Sequence, residues 1–161
     1  MNKSHFLTTS AFIIAACAVT TIAKAEPLSG SRPNIIFVLT DDQGYGDLAC
    51  HGNPDVVTPH IDKLHSQSTR MDQFYAAPTC SPCRAQIMSG NHEVFGGVTH
   101  TILERDLLSL KVVTVAETLN RSGYATGLFG KWHLGDKEAY LPQNRGFEEV
   151  LMHGAGGVGQ L

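Results

Sequence analysis

Ile35-Ile36-Phe37-Val38-Leu39-Thr40 is an unbroken apolar run of strand length that ends on two adjacent acids, Asp41-Asp42. A run without polar alternation suits a strand buried on both faces, as in a parallel sheet covered by helices. The punctuation of the rest of the chain agrees. Pro59 opens a helical stretch over Ile61 to Ser68, where proline suits a first turn. Thr69 to Tyr75 reads as a second strand, and a short helix from about Cys83 to Ser89 stops at Gly90. Thr114-Val115-Ala116-Glu117 is a capping box whose helix runs to Ser122, with Gly123 as terminator. Tyr124 to Phe129 is the next strand, ended by Gly130. Strands separated by helices imply an α/β fold with a largely parallel sheet flanked by helices. A chain that is 42% hydrophobic and 17% charged excludes a disordered tail, a collagen and a coiled coil.

Residues 1–25 read as an address rather than as part of the fold. Lys3 gives a positive start, Phe6 to Ile22 is apolar, and Ala23-Lys24-Ala25 has the small residues of a secretory cleavage site. The threonines within the stretch argue against a transmembrane span. Ile14-Ala15-Ala16-Cys17 offers a competing reading, a lipoprotein box that would leave Cys17 acylated. Soluble export to a periplasmic or secreted location is favoured, because the apolar run continues past Cys17 to the cleavage site. The exported domain is then residues 26–161. Export removes Lys3 and Lys24 but no acid, so a formal charge of -3 becomes more negative by two. Without a basic block, nucleic acid is not an expected partner, and any anion site must be built locally.

Three clusters of residues carry chemistry. Asp41 and Asp42 lie where the apolar run ends, and would face opposite sides if the strand continued. Gln43-Gly44-Tyr45-Gly46 lets the chain turn so that both can face one point, where Ca²⁺ or Mg²⁺ would relieve their repulsion. A solvated loop with a capping Asp is the plain alternative. Cys80-Ser81-Pro82-Cys83-Arg84 sets Pro82 in a first helical turn, with Cys80 at or just before the helix N-terminus. Free amides there favour an anion and activate a thiol, and Arg84 adds a permanent cation one turn on. A structural cysteine pair or half a zinc site are the plain readings, though no second ligand pair exists for zinc. A thiol–disulfide oxidoreductase working through Cys80 and Cys83 is the sharper rival. Lys131-Trp132-His133 follows a strand end. If the chain stays extended, Lys131 and His133 point to one side, able to hold an anion and move a proton. Gly154-Ala155-Gly156-Gly157-Val158-Gly159 fits a dinucleotide fingerprint but lacks the following helix and acid, so it is rejected.

Together these segments resemble the formylglycine-dependent sulfatases, closest to the arylsulfatase A-like group of the alkaline phosphatase superfamily. The resemblance begins at Arg32-Pro33-Asn34 and runs through Asp41 to Leu48, Thr58 to Leu64, Cys80 to Gly90 and Gly123 to Gly135, fading after Gly146-Phe147. It implies that Cys80 is oxidised by a formylglycine-generating maturation enzyme to Cα-formylglycine, whose hydrated aldehyde is the nucleophile. It implies that Asp41 and Asp42, with the residue at Cys80, ligate a divalent cation, usually Ca²⁺, with Mg²⁺ as the alternative. Arg84 would hold the modified residue, Lys131 the sulfate oxygens and His133 a hydroxyl proton. The substrate would be a sulfated small molecule or polysaccharide; a phosphate or phosphonate ester hydrolase of the same superfamily is the near alternative. Cys83 stands where the family more often has Ser, and a Cys80–Cys83 disulfide would block maturation. His153 is a candidate substrate contact only. Because the family's members are far longer and carry further ligands, the resemblance also implies an incomplete fold and site, inactive as an isolated piece.

Overall fold

The structure, a computed structural model, describes residues 29–157 of the chain. The leader expected at 1–25, with Cys17, and the end of the rejected glycine run lie outside the described residues. The chain divides into two units, Met1–Leu39 and Thr40–Leu161. In the first, a turn at Ser29-Gly30 leads into Ile35 to Leu39, which carry no strand pairing and stand 40% to 88% exposed. The strand expected there is therefore not formed among the described residues. An apolar run becomes a strand only when a partner supplies its ladder, and the sequence alone does not say which segment that is.

Among the described residues the second unit holds three α-helices and two strands: α1 (Pro59–Gln67), α2 (Cys80–Ser89), α3 (Val115–Arg121), β1 (Gly127–Lys131) and β2 (Glu149–His153). Single 3₁₀ turns at Tyr45–Asp47, Ala49–His51, Glu93–Gly96, Glu138–Tyr140 and Pro142–Arg145 link them. Pro59 stands in the first turn of α1, as expected. Helix α2 begins three residues earlier than the sequence reading, at Cys80 itself, and ends at Gly90, whose φ of 66° lets its N–H reach the Gln86 carbonyl at 2.8 Å. The capping box of α3 forms in both directions: Thr114 Oγ1 accepts from the Glu117 amide at 3.0 Å, and Glu117 Oε2 from the Thr114 amide at 3.1 Å.

β1 and β2 pair in parallel, from Gly127 against Glu149 to Lys131 against His153. The strand expected at Tyr124 to Phe129 is thus shifted toward the C-terminus. Thr126 explains the shift, since its hydroxyl donates to the Gly146 carbonyl at 2.6 Å and its own carbonyl accepts from Glu148 and Glu149. The expected strand at Thr69 to Tyr75 is absent; a turn occupies Asp72-Gln73. The core gathers Ala85 of α2 with Val98, Leu108, Trp132 and Leu134, and Met88, Leu128, Phe147 and Met152 pack around it. Trp132 is fixed at both ends, its ring edge-on to Phe147 at 6.1 Å and its Nε1–H donating to the Tyr140 carbonyl at 3.1 Å.

Candidate active site

The ends of β1 and α2 bring three of the candidate residues into contact. Lys131, the last residue of β1, places Nζ 3.0 Å from Asp41 Oδ1 and 2.9 Å from Oδ2. Arg84, one turn into α2, donates from Nη1 to the Lys131 carbonyl at 2.5 Å and lies 3.6 Å from Asp41 Oδ1 through Nη2. Both cationic side chains are largely buried, at 7% and 12% exposure, whereas Asp41 is about half exposed. The Lys131 hydrogen bonds hold the Asp41 carboxyl below its usual range; Arg84 adds to this, and partial burial opposes it. Cys80 opens the same helix one turn before Arg84, half-buried and a free thiol, as is Cys83. Burial pushes the Cys83 thiol up, with Cys80 adding and Arg84 opposing. Asp42 is exposed with φ 52°, so the chain turns at this residue instead of continuing extended. Among the described residues no hydrogen bond joins it to the other candidates.

His133 departs from the extended geometry expected of it. Trp132, His133 and Leu134 are consecutively buried, which a strand alternating between two faces does not allow. His133 has φ 57°, a left-handed conformation costing about 1 kcal/mol or more for such a residue. Its surroundings hold it there. The His133 amide donates to the Gly154 carbonyl at 2.9 Å, and the neighbouring Trp132 amide to the His153 carbonyl at 3.1 Å. Nε2 lies 2.9 Å from the Thr101 carbonyl, which can only accept, so Nε2 carries the proton and Nδ1 the lone pair. Burial depresses the His133 pKa, helped by Lys131 and Arg84 and opposed by Thr101 and Asp106. The shift favours the neutral imidazole, and Nδ1 is buried without a partner among the described residues, leaving its lone pair able to accept a proton.

Further buried polar atoms have no partner among the described residues: Ser81 Oγ, Arg84 Nε, Asp106 Oδ1 and His153 Nδ1. His153 faces Lys131 across the sheet register. The sequence reading passed over Ser81, Asp106 and Thr101; only the juxtaposition of Ser81 with Cys80 at a helix start could have singled one of them out. As for a hard divalent cation, the donors suit it. Asp41 and Asp42 offer carboxylate oxygens of the hard type such a cation takes; Lys131 Nζ now sits on both oxygens of Asp41, each of which keeps a second lone pair.

The profile of the family described as Sulfatase matches residues 33–157, running past Phe147, where the sequence resemblance was expected to fade. Arylsulfatase A of Homo sapiens is 42% identical over 137 residues, covering 81% of this chain and 27% of that protein. Arylsulfatase J of Mus musculus is 36% identical, covering 78% of this chain and 21% of that protein. The chain thus spans about a quarter of the length of the curated relatives it matches. A solved protein, Ps i-CgsB in complex with k-i-k-neocarrahexaose, aligns with a TM-score of 0.64 at 31% identity over 72% of this chain and 27% of that one. Another, from work on glycosaminoglycan metabolism by Bacteroides thetaiotaomicron, aligns at 0.67 and 35% over 77% and 28%. These neighbours and the β1–β2 parallel pair agree with the α/β reading of the fold.

Proposed function

The chain belongs to the sulfatase family, and on that premise we propose that it carries the N-terminal share of the active site of an exported sulfuric ester hydrolase. The observation that carries this reading is the convergence of Lys131 and Arg84 on Asp41, Arg84 standing one turn after Cys80 in α2. Cys80 is the residue converted to formylglycine by a maturation enzyme, and the hydrated aldehyde supplies a nucleophilic hydroxyl. Asp41 and Asp42 would hold Ca²⁺ or Mg²⁺, which withdraws electrons from the oxygens it touches.

The remaining work falls to this chain's own side chains. Arg84 and Lys131, two nearly buried cations, present the positive field an anionic sulfate ester needs in a molecule whose net charge is negative. Lys131 can turn from Asp41 to a sulfate oxygen without leaving the carboxylate uncompensated, because Arg84 stays beside it. His133 Nδ1 accepts the hydroxyl proton, since Nε2–H is committed to Thr101. The relatives' greater length supports further ligands outside this chain, so the isolated chain would be inactive. The leader supports a periplasmic or secreted location, and among the described residues no helix is long and apolar enough to cross a membrane. A half-buried Cys83 whose thiol is pushed up by burial gives less support to dithiol redox chemistry.

The test is mass spectrometry of the tryptic peptide Met71 to Arg84 after co-expression with a formylglycine-generating enzyme. Exchange of the Cys80 sulfur for an aldehyde oxygen is expected, and it should persist in Cys83→Ser. A Cys80 that stays a thiol under every condition would overturn the reading.

A further inference from the structure

A second cluster lies away from the charged site, between the 3₁₀ turn Ala49–His51 and α1. Cys50 and His51 are consecutive in that turn, and His65 stands in the last turn of α1. Cys50 Sγ and one ring nitrogen of each histidine all lie within 4.8 Å of one another, and all three residues are half-buried. From this geometry we infer that Cys50, His51 and His65 form a binding site for Zn²⁺, with water completing the tetrahedron.

The backbone that carries the ligands is already held in place. The Cys50 amide donates to Asp62 Oδ1 at 3.0 Å and the Ala49 amide to Thr58 Oγ1 at 3.0 Å, which ties the turn to α1. The Thr58 hydroxyl also donates to Asp62 Oδ1, at 2.8 Å. His51 lies flat on the Tyr45 ring, centroids 4.1 Å apart and planes within 9°, and its Nδ1 is 2.6 Å from the Tyr45 carbonyl. A carbonyl only accepts, so Nδ1 bears the proton and Nε2 the lone pair. That pattern, one ring nitrogen on a backbone oxygen and the other free, is how metal-binding histidines are oriented.

The donor set selects the metal. One thiolate and two imidazoles suit a borderline cation such as Zn²⁺ and not Ca²⁺ or Mg²⁺, which take oxygen. Metal–ligand bonds of about 2.0–2.3 Å set tetrahedral ligands roughly 3.5 Å apart. With all three ligand atoms within 4.8 Å of one another, the side chains need to close by no more than about 1.3 Å, a matter of side-chain rotation in the cleft that all three line. Arg70 Nη1 lies 3.3 Å from His65 Nε2, and the cation would displace this contact. Arg70 keeps Asp72 at 2.6 Å and the Tyr45 hydroxyl at 2.9 Å, so its charge stays compensated. The metal would staple the turn to α1 in a stretch where neither element buries a side chain.

The experiment is a Co²⁺ titration of the full chain carrying Cys17→Ser, Cys80→Ser and Cys83→Ser, which leaves Cys50 as its one thiol. One equivalent should give a thiolate-to-cobalt charge-transfer band and strong tetrahedral d–d absorption, removed by Zn²⁺ and indifferent to excess Ca²⁺. Cys50→Ser should abolish the band, and His51→Phe or His65→Phe should weaken binding at least about tenfold. No charge-transfer band, or one unchanged by both histidine substitutions, would overturn the site. If the serine background does not fold, the native chain is compared with its Cys50→Ser variant: loss of one equivalent of bound Zn²⁺ supports the site, and unchanged stoichiometry refutes it.

Discussion

The elements within residues 45–67 bury no side chain at all, whereas residues 80–153 enclose Ala85, Val98, Leu108, Trp132 and Leu134. The first stretch is held by polar caps: Ala49 on Thr58, Cys50 on Asp62, Gly44 on Asp47. Ile61 and Leu64 of α1 remain exposed. The second is held by an apolar core, with the buried Arg145 guanidinium bonded to the backbone beside it. The difference teaches where each kind of order comes from. Side-chain caps fix a turn among near neighbours in sequence, but only removal of apolar surface from water makes a segment costly to open. Lys131 and Arg84 stand on the second region and the Cys50 cluster on the first, so one is braced by burial and the other by polar caps that a bound ligand would reinforce.

The strongest challenge to this contrast is Gly146→Ala. Gly146 has φ 93°, and an added Cβ would run into the backbone of Ala116 and Glu117, which cannot swing aside as a side chain can. A loss of about 4 kcal/mol or more is expected in urea unfolding. Hydrogen exchange should show β1 amides losing protection while those of α1 change little. Equal loss in both would mean that the two regions open as one, and the contrast would be gone. A smaller effect is expected of Thr114→Ala, about 2 kcal/mol, from losing both the α3 cap and the buried hydroxyl bond to the Arg145 carbonyl at 2.8 Å. Thr114→Ser, which keeps the oxygen, should recover most of it.

The smallest effect is one of pH. His133 has a depressed pKa in the folded chain, so below roughly pH 6.5 the unfolded chain takes a proton that the folded one refuses. Its contribution to stability is therefore complete above that pH and lost as pH falls through the lowered folded value. The urea midpoint should fall accordingly, and His133→Gln should flatten the slope. A midpoint that rises on acidification would contradict the burial argument.

What could be read from the sequence was local. Pro59, the Thr114–Glu117 box and Gly90 each act on partners within four residues, and each element they announced is present. The apolar run at Ile35 to Leu39 announced a strand but not its partner, and strand formation depends on the partner. The types of the site residues were plain as well, yet Asp41 and Lys131 meet across 90 positions and no periodicity reports that. His133 was expected to alternate with Trp132, but its left-handed backbone depends on carbonyls contributed by His153, Gly154 and Thr101. Arg145 was missed entirely. It looks like any surface arginine, and only the glycine beside it, forced to positive φ, hints at a tight corner.

That arginine is 2% exposed, and its guanidinium serves four oxygens: Glu117 at 3.3 Å and the carbonyls of Leu108, Ser109 and Val112 at 3.0, 3.4 and 2.8 Å. It acts as a rivet, clamping the stretch ahead of α3 onto the corner before β2. A lysine in its place would keep the charge but bring a single nitrogen, unable to span acceptors spread around the edge of a plane. The corner's shape is thus encoded in the flat, forked geometry of one head group rather than in its electrical sign.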